Sequence, residues 1–254
     1  ERLSIQLKAN GLRPIHFSTD DYFIDRDDTP LDEHGNKDYE SINALDLDLF
    51  NENIKSLLEG KVVDLPRYNF REGVKEFGKN ITQISSEQMI IIEGIHGLNE
   101  KLTELIPKYE KFKIYISALT QLNIDGYNRI PTTDSRLIRR LVRDYKFRGH
   151  SAKYTLANWQ AVRRGEEKNI FPFQEEADEV FDSALVYELA VLRKYAEPLL
   201  QEITKEDEEY IEARRLIRFL QYFKTIENEA SILNNSIIRE FIGGSVFADD
   251  IEEN

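Results

Sequence analysis

The chain has 254 residues, a formal net charge of −13 at pH 7 and no cysteine. Without cysteine it can form neither a disulfide nor a thiolate zinc site, and this composition fits a reducing, cytoplasmic location. The acidic balance argues against general nucleic-acid binding, which needs a broad basic surface. No apolar run approaches the roughly 20 residues of a membrane span, so we expect no membrane partner.

The first part of the chain combines helix and strand patterns. The first eleven residues are typical of the end of an amphipathic helix that Gly11 terminates, so we expect the sequence to begin inside an element. In chain order, the next predictions are a strand over 14–19, an acidic loop over 20–38, a helix over 45–59, an edge strand over 62–65 and a polar, aromatic loop over 67–78.

The later part continues the alternation. Residues 89–92 are continuously apolar, as in a strand that is covered on both faces of a parallel sheet. The remaining predictions are a helix over 100–106, a strand over 112–116, a basic helix between 134 and 150, a helix over 152–164, a strand near 180–186 and helices over 188–203 and 208–224. Strands that alternate with helices indicate an α/β fold with a mainly parallel sheet.

The basic helix carries four arginines at the spacing i, i+3, i+4 and i+7, which places them on one stripe: Arg136, Arg139, Arg140 and Arg143. Arginine binds phosphate oxygens bidentately, so the stripe favours a phosphate clamp. The alternative is a solvated face that nearby carboxylates neutralise. The opposite side is apolar and is expected to pack on a core; it consists of Leu137, Ile138, Leu141, Val142 and Tyr145.

Two carboxylates follow predicted strands, Asp20 after residues 14–19 and Glu93 after residues 89–92. Ligands of open α/β sheets bind beyond the carboxyl ends of the strands. A strand-end acid there can hold hydrated Mg²⁺ or take a proton from a substrate hydroxyl, or it can simply cap the next helix. With the arginine stripe, the two acids supply a base, a metal helper and a phosphate clamp, which phosphoryl transfer requires. His16, inside the first strand, is expected to lie in the core.

These motifs resemble, in consistent order, those of the uridine kinase and phosphoribulokinase family of P-loop kinases. The stretch 18–23, Ser-Thr-Asp-Asp-Tyr-Phe, is similar to the family's strand-end motif, and 91–95, Ile-Ile-Glu-Gly-Ile, to its Walker-B-type strand. The basic helix with Arg148-Gly149 is similar to its lid motif. The resemblance covers residues 14–203, and the residues that follow look like the tail of longer bacterial proteins in which a threonyl-tRNA-synthetase-like region precedes the kinase-like domain.

The resemblance implies ATP and Mg²⁺ as cofactors. Asp20 would be the general base and, with Glu93, a magnesium ligand. Arg136 and Arg140 would act on the transferred phosphoryl group. The remaining lid arginines would bind the nucleotide: Arg139, Arg143 and Arg148.

The resemblance also implies a nucleoside as the small-molecule partner. Glu40 would bind ribose hydroxyls, and the stretch Leu65-Pro66-Arg67-Tyr68-Asn69-Phe70 looks like the family's nucleoside-contacting loop. Tyr68 and Phe70 would line the acceptor site, with Tyr22 beside them. A homo-oligomer is left open.

The implied architecture is a P-loop-kinase-type sheet flanked by helices, with a lid helix and extra C-terminal helices. We expect a nucleoside-kinase-like domain over 1–204 and a helical extension over 205–254 that packs on it. The phosphate-binding motif G-x-x-x-x-G-K-[ST] is absent from the sequence, so we expect the domain to lack its first strand and this loop, with both upstream in a longer protein. Without the loop, the chain by itself could be inactive.

The sequence therefore favours ATP-dependent phosphorylation of a uridine- or cytidine-like ribonucleoside, or of a similar sugar hydroxyl. The family's histidine that contacts the nucleobase is missing after Phe70, where Arg71 and Glu72 follow. The sequence therefore identifies neither the nucleobase of the acceptor nor whether ATP or GTP is the donor. The alternative is a non-catalytic nucleotide- or RNA-sensing module that keeps the arginine clamp.

Overall fold

The structure, a computed structural model, describes residues 2–33 and 35–247. It confirms an α/β fold with a parallel strand pair and several helices. The chain forms two compact units. Unit 1 runs up to Tyr115 and includes Arg164–Glu179, and unit 2 contains Ile116–Arg163 and the residues from Val180 onward. Residues 248–254 of the predicted C-terminal extension lie outside the described residues.

Unit 1 begins with α1 (Arg2–Ala9) and β1 (Arg13–Ser18), as the sequence predicts. β1 pairs in parallel with β6 (Gln88–Glu93), in a register that runs from Arg13 opposite Gln88 to Ser18 opposite Glu93. This register brings the carboxyl ends of both strands to the same edge. β6 is less covered than its apolar sequence predicts, because Met89 is exposed and the three isoleucines after it are only half-buried.

The helix predicted over 45–59 is confirmed as α2 (Leu47–Leu58). Asp46 caps it by accepting a hydrogen bond of 3.1 Å from the backbone amide of Leu49. One face of α2 enters the core of unit 1 through Phe50, Ile54 and Leu57. Leu58, which the sequence places on that face, is 49% exposed instead.

The segment after α2 contains short antiparallel pairs. β2 (Val63–Asp64) pairs with β5 (Ile81–Thr82), and β3 (Arg67–Asn69) pairs with β4 (Val74–Glu76). The stretch predicted as a loop over 67–78 is thus a hairpin, which Asn69 fastens by donating a 2.7 Å hydrogen bond to Glu76. The prediction of a helix over 100–106 is also wrong, because only a 3₁₀ turn over Glu100–Thr103 forms there.

Unit 2 is built around α3 (Thr132–Arg148), the predicted basic helix, which ends at Gly149 with φ +67°. Its apolar side is buried as expected, with the exception of Tyr145, which is 51% exposed. α5 (Glu188–Gln201), α6 (Tyr210–Leu220) and α7 (Arg239–Ile242) share the same core. The boundary predicted at residue 204 therefore falls inside unit 2.

Three elements cross the division between the units: β7 (Ile114–Ser117), β8 (Glu179–Asp182), which pairs with β7, and α4 (Ala152–Asn169). α4 is longer than the helix predicted over 152–164. Throughout residues 2–33 and 35–247, every helix is too short or too polar to cross a lipid bilayer.

Candidate active site

The two predicted strand-end carboxylates lie at the same edge of the parallel pair. β1 ends at Ser18, which is opposite Glu93, the last residue of β6. The chain then enters a 3₁₀ turn over Thr19–Tyr22, and the Ser18 hydroxyl accepts a 3.3 Å hydrogen bond from the backbone amide of Asp20. Asp20 and Glu93 both remain accessible to solvent. Sequence and register together therefore create an acidic edge that a ligand can reach.

Gly94 allows the two strand ends to approach each other. Its φ of +149° is a conformation that L side chains rarely adopt, and a Cβ at this position would lie 1.8 Å from Oγ1 of Thr19. Thr19 is itself buried and immediately precedes Asp20. Only glycine therefore fits directly after Glu93.

The environment of Asp20 disfavours its ionised form. Partial burial raises the pKa of the Asp20 carboxyl, and the negative charges of Glu93 and Asp21 raise it further. A carboxylate with a raised pKa is a stronger base than an ordinary aspartate. This shift suits a residue that accepts a proton from a substrate hydroxyl.

His16 was expected in the core and lies in the site instead. Its Nε2 is 3.5 Å from Oε2 of Glu93, and its side chain is 38% exposed. Little in the sequence points to this contact, since only the parallel register with β6 brings His16 beside the end of that strand. His16 can orient the Glu93 carboxylate and, when protonated, partly neutralise it.

The donor set fits a hydrated magnesium ion. Mg²⁺ in phosphoryl-transfer sites keeps several waters and uses one or two carboxylates together with substrate phosphates. Asp20 and Glu93 provide two such carboxylates. Among the residues that the structure describes, no cluster of three or more His, Cys, Asp or Glu side chains is arranged to hold a metal ion. A site that relies on substrate phosphates for its remaining ligands is consistent with this finding.

A second feature of unit 1 is an aromatic cavity of about 460 Å³, within the size range of small-ligand pockets. It is lined by Phe23, Arg26, Tyr39, Tyr68 and Phe70. The rings of Tyr68 and Phe70 are 5.1 Å apart in an edge-to-face arrangement, and Phe23 packs against both. The structure thus brings the two predicted acceptor residues, Tyr68 and Phe70, into one cavity.

Arg26 and Phe23 complete this cavity, and the sequence did not point to either as a ligand contact. The Arg26 guanidinium donates hydrogen bonds to the backbone carbonyls of Phe70 and Arg71, the latter at 3.3 Å. It therefore fastens the turn of the β3–β4 hairpin to the segment that follows the Asp20 turn. Its charge is directed at these carbonyls, which leaves the cavity walls mainly aromatic.

The aromatic cavity is joined to the acidic edge through Asp21. Its Oδ1 accepts a hydrogen bond of 3.2 Å from the backbone amide of Tyr68. Asp21 is next to Asp20 in the chain, so one dipeptide contributes to both features. The β3 strand cannot shift relative to the Asp20 turn without losing this hydrogen bond.

Glu40, the predicted ribose-binding acid, is exposed and directly follows Tyr39 of the cavity wall. Its side chain packs against Gly165, where a Cβ would lie 3.3 Å from Oε2 of Glu40. Its neighbour Asp38 forms a 3.1 Å ion pair with Lys168. The segment that carries Glu40 is thus held beside the aromatic cavity.

Tyr22 does not occupy the site that was predicted for it. It is 1% exposed and packs edge-to-face on Phe50, with ring centroids 4.9 Å apart, in the core of unit 1. Its hydroxyl accepts a 3.3 Å hydrogen bond from Asn53, and burial raises its pKa to about 12. A ligand cannot reach this side chain, so its role is structural.

The arginines of α3 belong to unit 2, and they are not equivalent. Arg139 is buried and pairs with Glu188, with its Nε 3.1 Å from Oε1 and a second contact between Nη2 and Oε2. Its guanidinium also donates to the hydroxyl and the carbonyl oxygen of Ser183. The prediction that all four arginines form one ligand-facing stripe is therefore wrong for Arg139, whose side chain lies in the interior.

The remaining arginines stay closer to solvent. Arg136, Arg140 and Arg143 are half-buried, and Arg148 is exposed. Arg140 and Arg148 both contact the buried carboxylate of Asp144, which lies at i+4 from the first and i−4 from the second. A basic surface of α3 thus persists without Arg139.

Comparison with known proteins identifies the family of this chain. The model of a family described as "Phosphoribulokinase / Uridine kinase family" matches residues 16–190, more than half of the chain. The chain belongs to this family of kinases.

Individual relatives are more distant. A uridine kinase of Ligilactobacillus salivarius (strain UCC118) is 27% identical over 158 residues, which cover 62% of this chain and 64% of the relative. One of Staphylococcus aureus (strain JH9) is 30% identical over 146 residues, 57% of this chain and 61% of the relative. The first relatives are matched over only 55% to 64% of their own length. A solved structure of a possible uridine kinase from Bacillus stearothermophilus shares 19% identity at a TM-score of 0.43, covering 71% of this chain and 78% of that one.

Proposed function

We propose that this chain is the kinase part of an enzyme that transfers the γ-phosphoryl group of ATP to a hydroxyl of a ribonucleoside, of the uridine or cytidine kind, or of a similar sugar-bearing acceptor. The observation that carries the proposal is the acidic edge of Asp20 and Glu93, joined through Asp21 to the aromatic cavity. Unit 1 thus contains both a candidate general base and a cavity that could bind the acceptor.

Asp20 is the proposed general base. As the acceptor oxygen bonds to the γ-phosphorus and the bond from that phosphorus to the bridging oxygen of ADP breaks, the hydroxyl proton moves to the Asp20 carboxylate. The raised pKa of Asp20 favours this transfer. Asp20 and Glu93 would also hold Mg²⁺, which neutralises phosphate charge when it is bound.

The aromatic cavity is the proposed binding site for the nucleobase of the acceptor. The ring of Phe70 is 60% exposed and packs against the buried ring of Tyr68. Stacking of a nucleobase on such an exposed aromatic surface contributes about 1–3 kcal/mol. Glu40, next to Tyr39, is the proposed partner of the ribose hydroxyls. A sugar without a nucleobase would lose the stacking contribution and bind more weakly.

The basic surface of α3 supplies the remaining part of the proposal. The transition state of phosphoryl transfer spreads negative charge over the equatorial oxygens, and guanidinium groups stabilise that charge. Arg136 and Arg140 are proposed for the transferred group, and Arg143 and Arg148 for the rest of the phosphate chain. Arg139 is left out because it is buried in the interior, where it pairs with Glu188.

The experiment measures transfer of label from [γ-³²P]ATP to uridine, cytidine and free ribose by the full-length protein. We expect the two nucleosides to be phosphorylated and ribose to be a poor acceptor. Phe70→Ala should raise the KM for uridine about tenfold, as expected when stacking is lost. Phe77→Ala, a similarly exposed phenylalanine outside the cavity, is the matched control and should leave KM unchanged. Absence of transfer to every acceptor, with correctly folded protein, would refute the proposal.

A further inference from the structure

Asp144 is a buried carboxylate on the basic helix α3. It is 1% exposed, accepts hydrogen bonds from two side chains and forms an ion pair with a third. Arg148 donates to Oδ1 at 3.1 Å, and the Arg140 Nε is 3.2 Å from Oδ2. The hydroxyl of Thr155, on α4 within the same unit, donates to Oδ2 at 3.2 Å. The carboxylate is thus fixed from two helices.

The charges around Asp144 do not balance. Three guanidinium groups, those of Arg140, Arg143 and Arg148, lie around Asp144, and the carboxylate of Glu240 is a further negative charge that acts on Arg143. The Nε of Arg143 is buried and has no hydrogen-bond partner among the described residues. Burial, together with the positive charges of Arg148 and Arg140, lowers the pKa of Arg143 to about 10 even though Asp144 and Glu240 oppose this effect. The cluster therefore retains a net positive charge that an anion can neutralise.

We propose that Asp144 is a positioning residue, which holds Arg140 and Arg148 on either side of Arg143 so that the three guanidinium groups form one site for a phosphate chain. The inference depends on the proposed function only for the identity of that chain, the triphosphate of the donor nucleotide. Without Asp144, three like charges within two turns of a helix would repel one another and spread apart.

An alternative role for Asp144, in which it only compensates charge, predicts a change in anion affinity of the opposite sign. If Asp144 only compensates charge, its neutralisation makes the cluster more positive and strengthens anion binding. If Asp144 positions the arginines, its neutralisation releases them and weakens binding. The two roles therefore predict opposite changes in affinity for the same variant, Asp144→Asn.

The test measures binding of tripolyphosphate to the 254-residue chain by isothermal titration calorimetry at low ionic strength, where exposed charges are least screened. We expect Asp144→Asn to weaken binding about tenfold, in the range expected for the loss of charge-assisted hydrogen bonds. Thr155→Val removes one contact to the carboxylate without changing the charge, and should weaken binding less but in the same direction. Asp144→Glu should restore most of the affinity.

Asp134→Asn is the matched control, because Asp134 is a buried carboxylate at the other end of α3 that pairs with Arg215 at 2.7 Å. It should leave the affinity unchanged. Circular dichroism checks the fold of each variant; if Asp144→Asn does not fold, Thr155→Val and Asp144→Glu decide. Unchanged or tighter binding in Asp144→Asn, or no binding by the unmodified chain, would overturn the inference. Tripolyphosphate binding without any kinase activity of the full-length protein would refute the proposed function alone.

Discussion

The Asp21 carboxylate accepts a 3.2 Å hydrogen bond from the backbone amide of Tyr68, which ties the turn bearing Asp20 to the wall of the aromatic cavity. Asp20 would act on the hydroxyl of an acceptor that Tyr68 helps to hold. In-line transfer needs the reacting atoms within about 3–3.5 Å of each other, so small displacements are costly. Asp21 can therefore influence the reaction without touching the substrate.

Replacing Asp21 by alanine should raise the KM for the nucleoside about tenfold, because the lost hydrogen bond lets the β3–β4 hairpin shift. The measurement is the initial rate against uridine concentration at saturating ATP. Asp21→Asn is the control, since its amide oxygen can still accept the bond, and it should keep a KM close to that of the unmodified protein. An unchanged KM in Asp21→Ala would show that the link has no functional role.

The pH dependence of kcat/KM should report the environment of Asp20. Its pKa is raised by partial burial and by the charges of Glu93 and Asp21, so activity should decline on acidification at a higher pH than an ordinary aspartate would give. Asp21→Asn removes one of these negative charges and should move the acid limb to lower pH. A shift to higher pH, or no shift, would contradict Asp20 as the titrating base.

Gly94→Ala should destabilise the protein by about 2–5 kcal/mol, because the added Cβ collides with buried Thr19 and the backbone is strained at φ +149°. Urea unfolding measures this change in the free energy of unfolding. Gly126→Ala is the control, since its Cβ would meet nothing within 4 Å, and it should stay within about 0.5 kcal/mol. Equal unfolding midpoints for Gly94→Ala and the unmodified chain would show that the close approach does not exist.

Arg139→Met should act on stability rather than on ligand binding. Removing one partner of a buried ion pair leaves Glu188 uncompensated and costs about 3–5 kcal/mol. Arg139→Met combined with Glu188→Gln should recover part of that loss, and tripolyphosphate affinity of the folded variant should not change. Weaker affinity for tripolyphosphate at unchanged stability would show that Arg139 does belong to the ligand-binding face.

The acidic edge could be predicted because its determinants are local in the sequence. Glu93 is the last residue of β6 and Asp20 lies two residues after the end of β1, and parallel strands place their carboxyl ends together. Glycine after Glu93 was also part of the recognised motif, although the reason for it, contact with Thr19, emerges only in three dimensions.

Other features of the fold and of the site depend on contacts between residues that are far apart in the sequence. Helical spacing identified the stripe containing Arg139 but could not show that Glu188, 49 residues later, lies against it. The same limit applies to Tyr22, which the motif placed near the substrate and the packing with Phe50 places in the core. The aromatic hairpin lacks the alternating apolar pattern of a buried strand, so its polar sequence is typical of a loop.

Asp20→Asn tests the central claim most directly. Its kcat for phosphorylation of uridine by the full-length protein should fall about 10²–10⁴-fold, the usual contribution of general base catalysis. Because folding raises the pKa of Asp20, the ionised side chain destabilises the folded state increasingly as pH rises through that pKa. The inactive variant should therefore unfold at higher urea concentration at pH 8, whereas Glu87→Gln, an exposed control in unit 1, should change neither property. A kcat equal to that of the unmodified protein would contradict the assignment of Asp20 as the base.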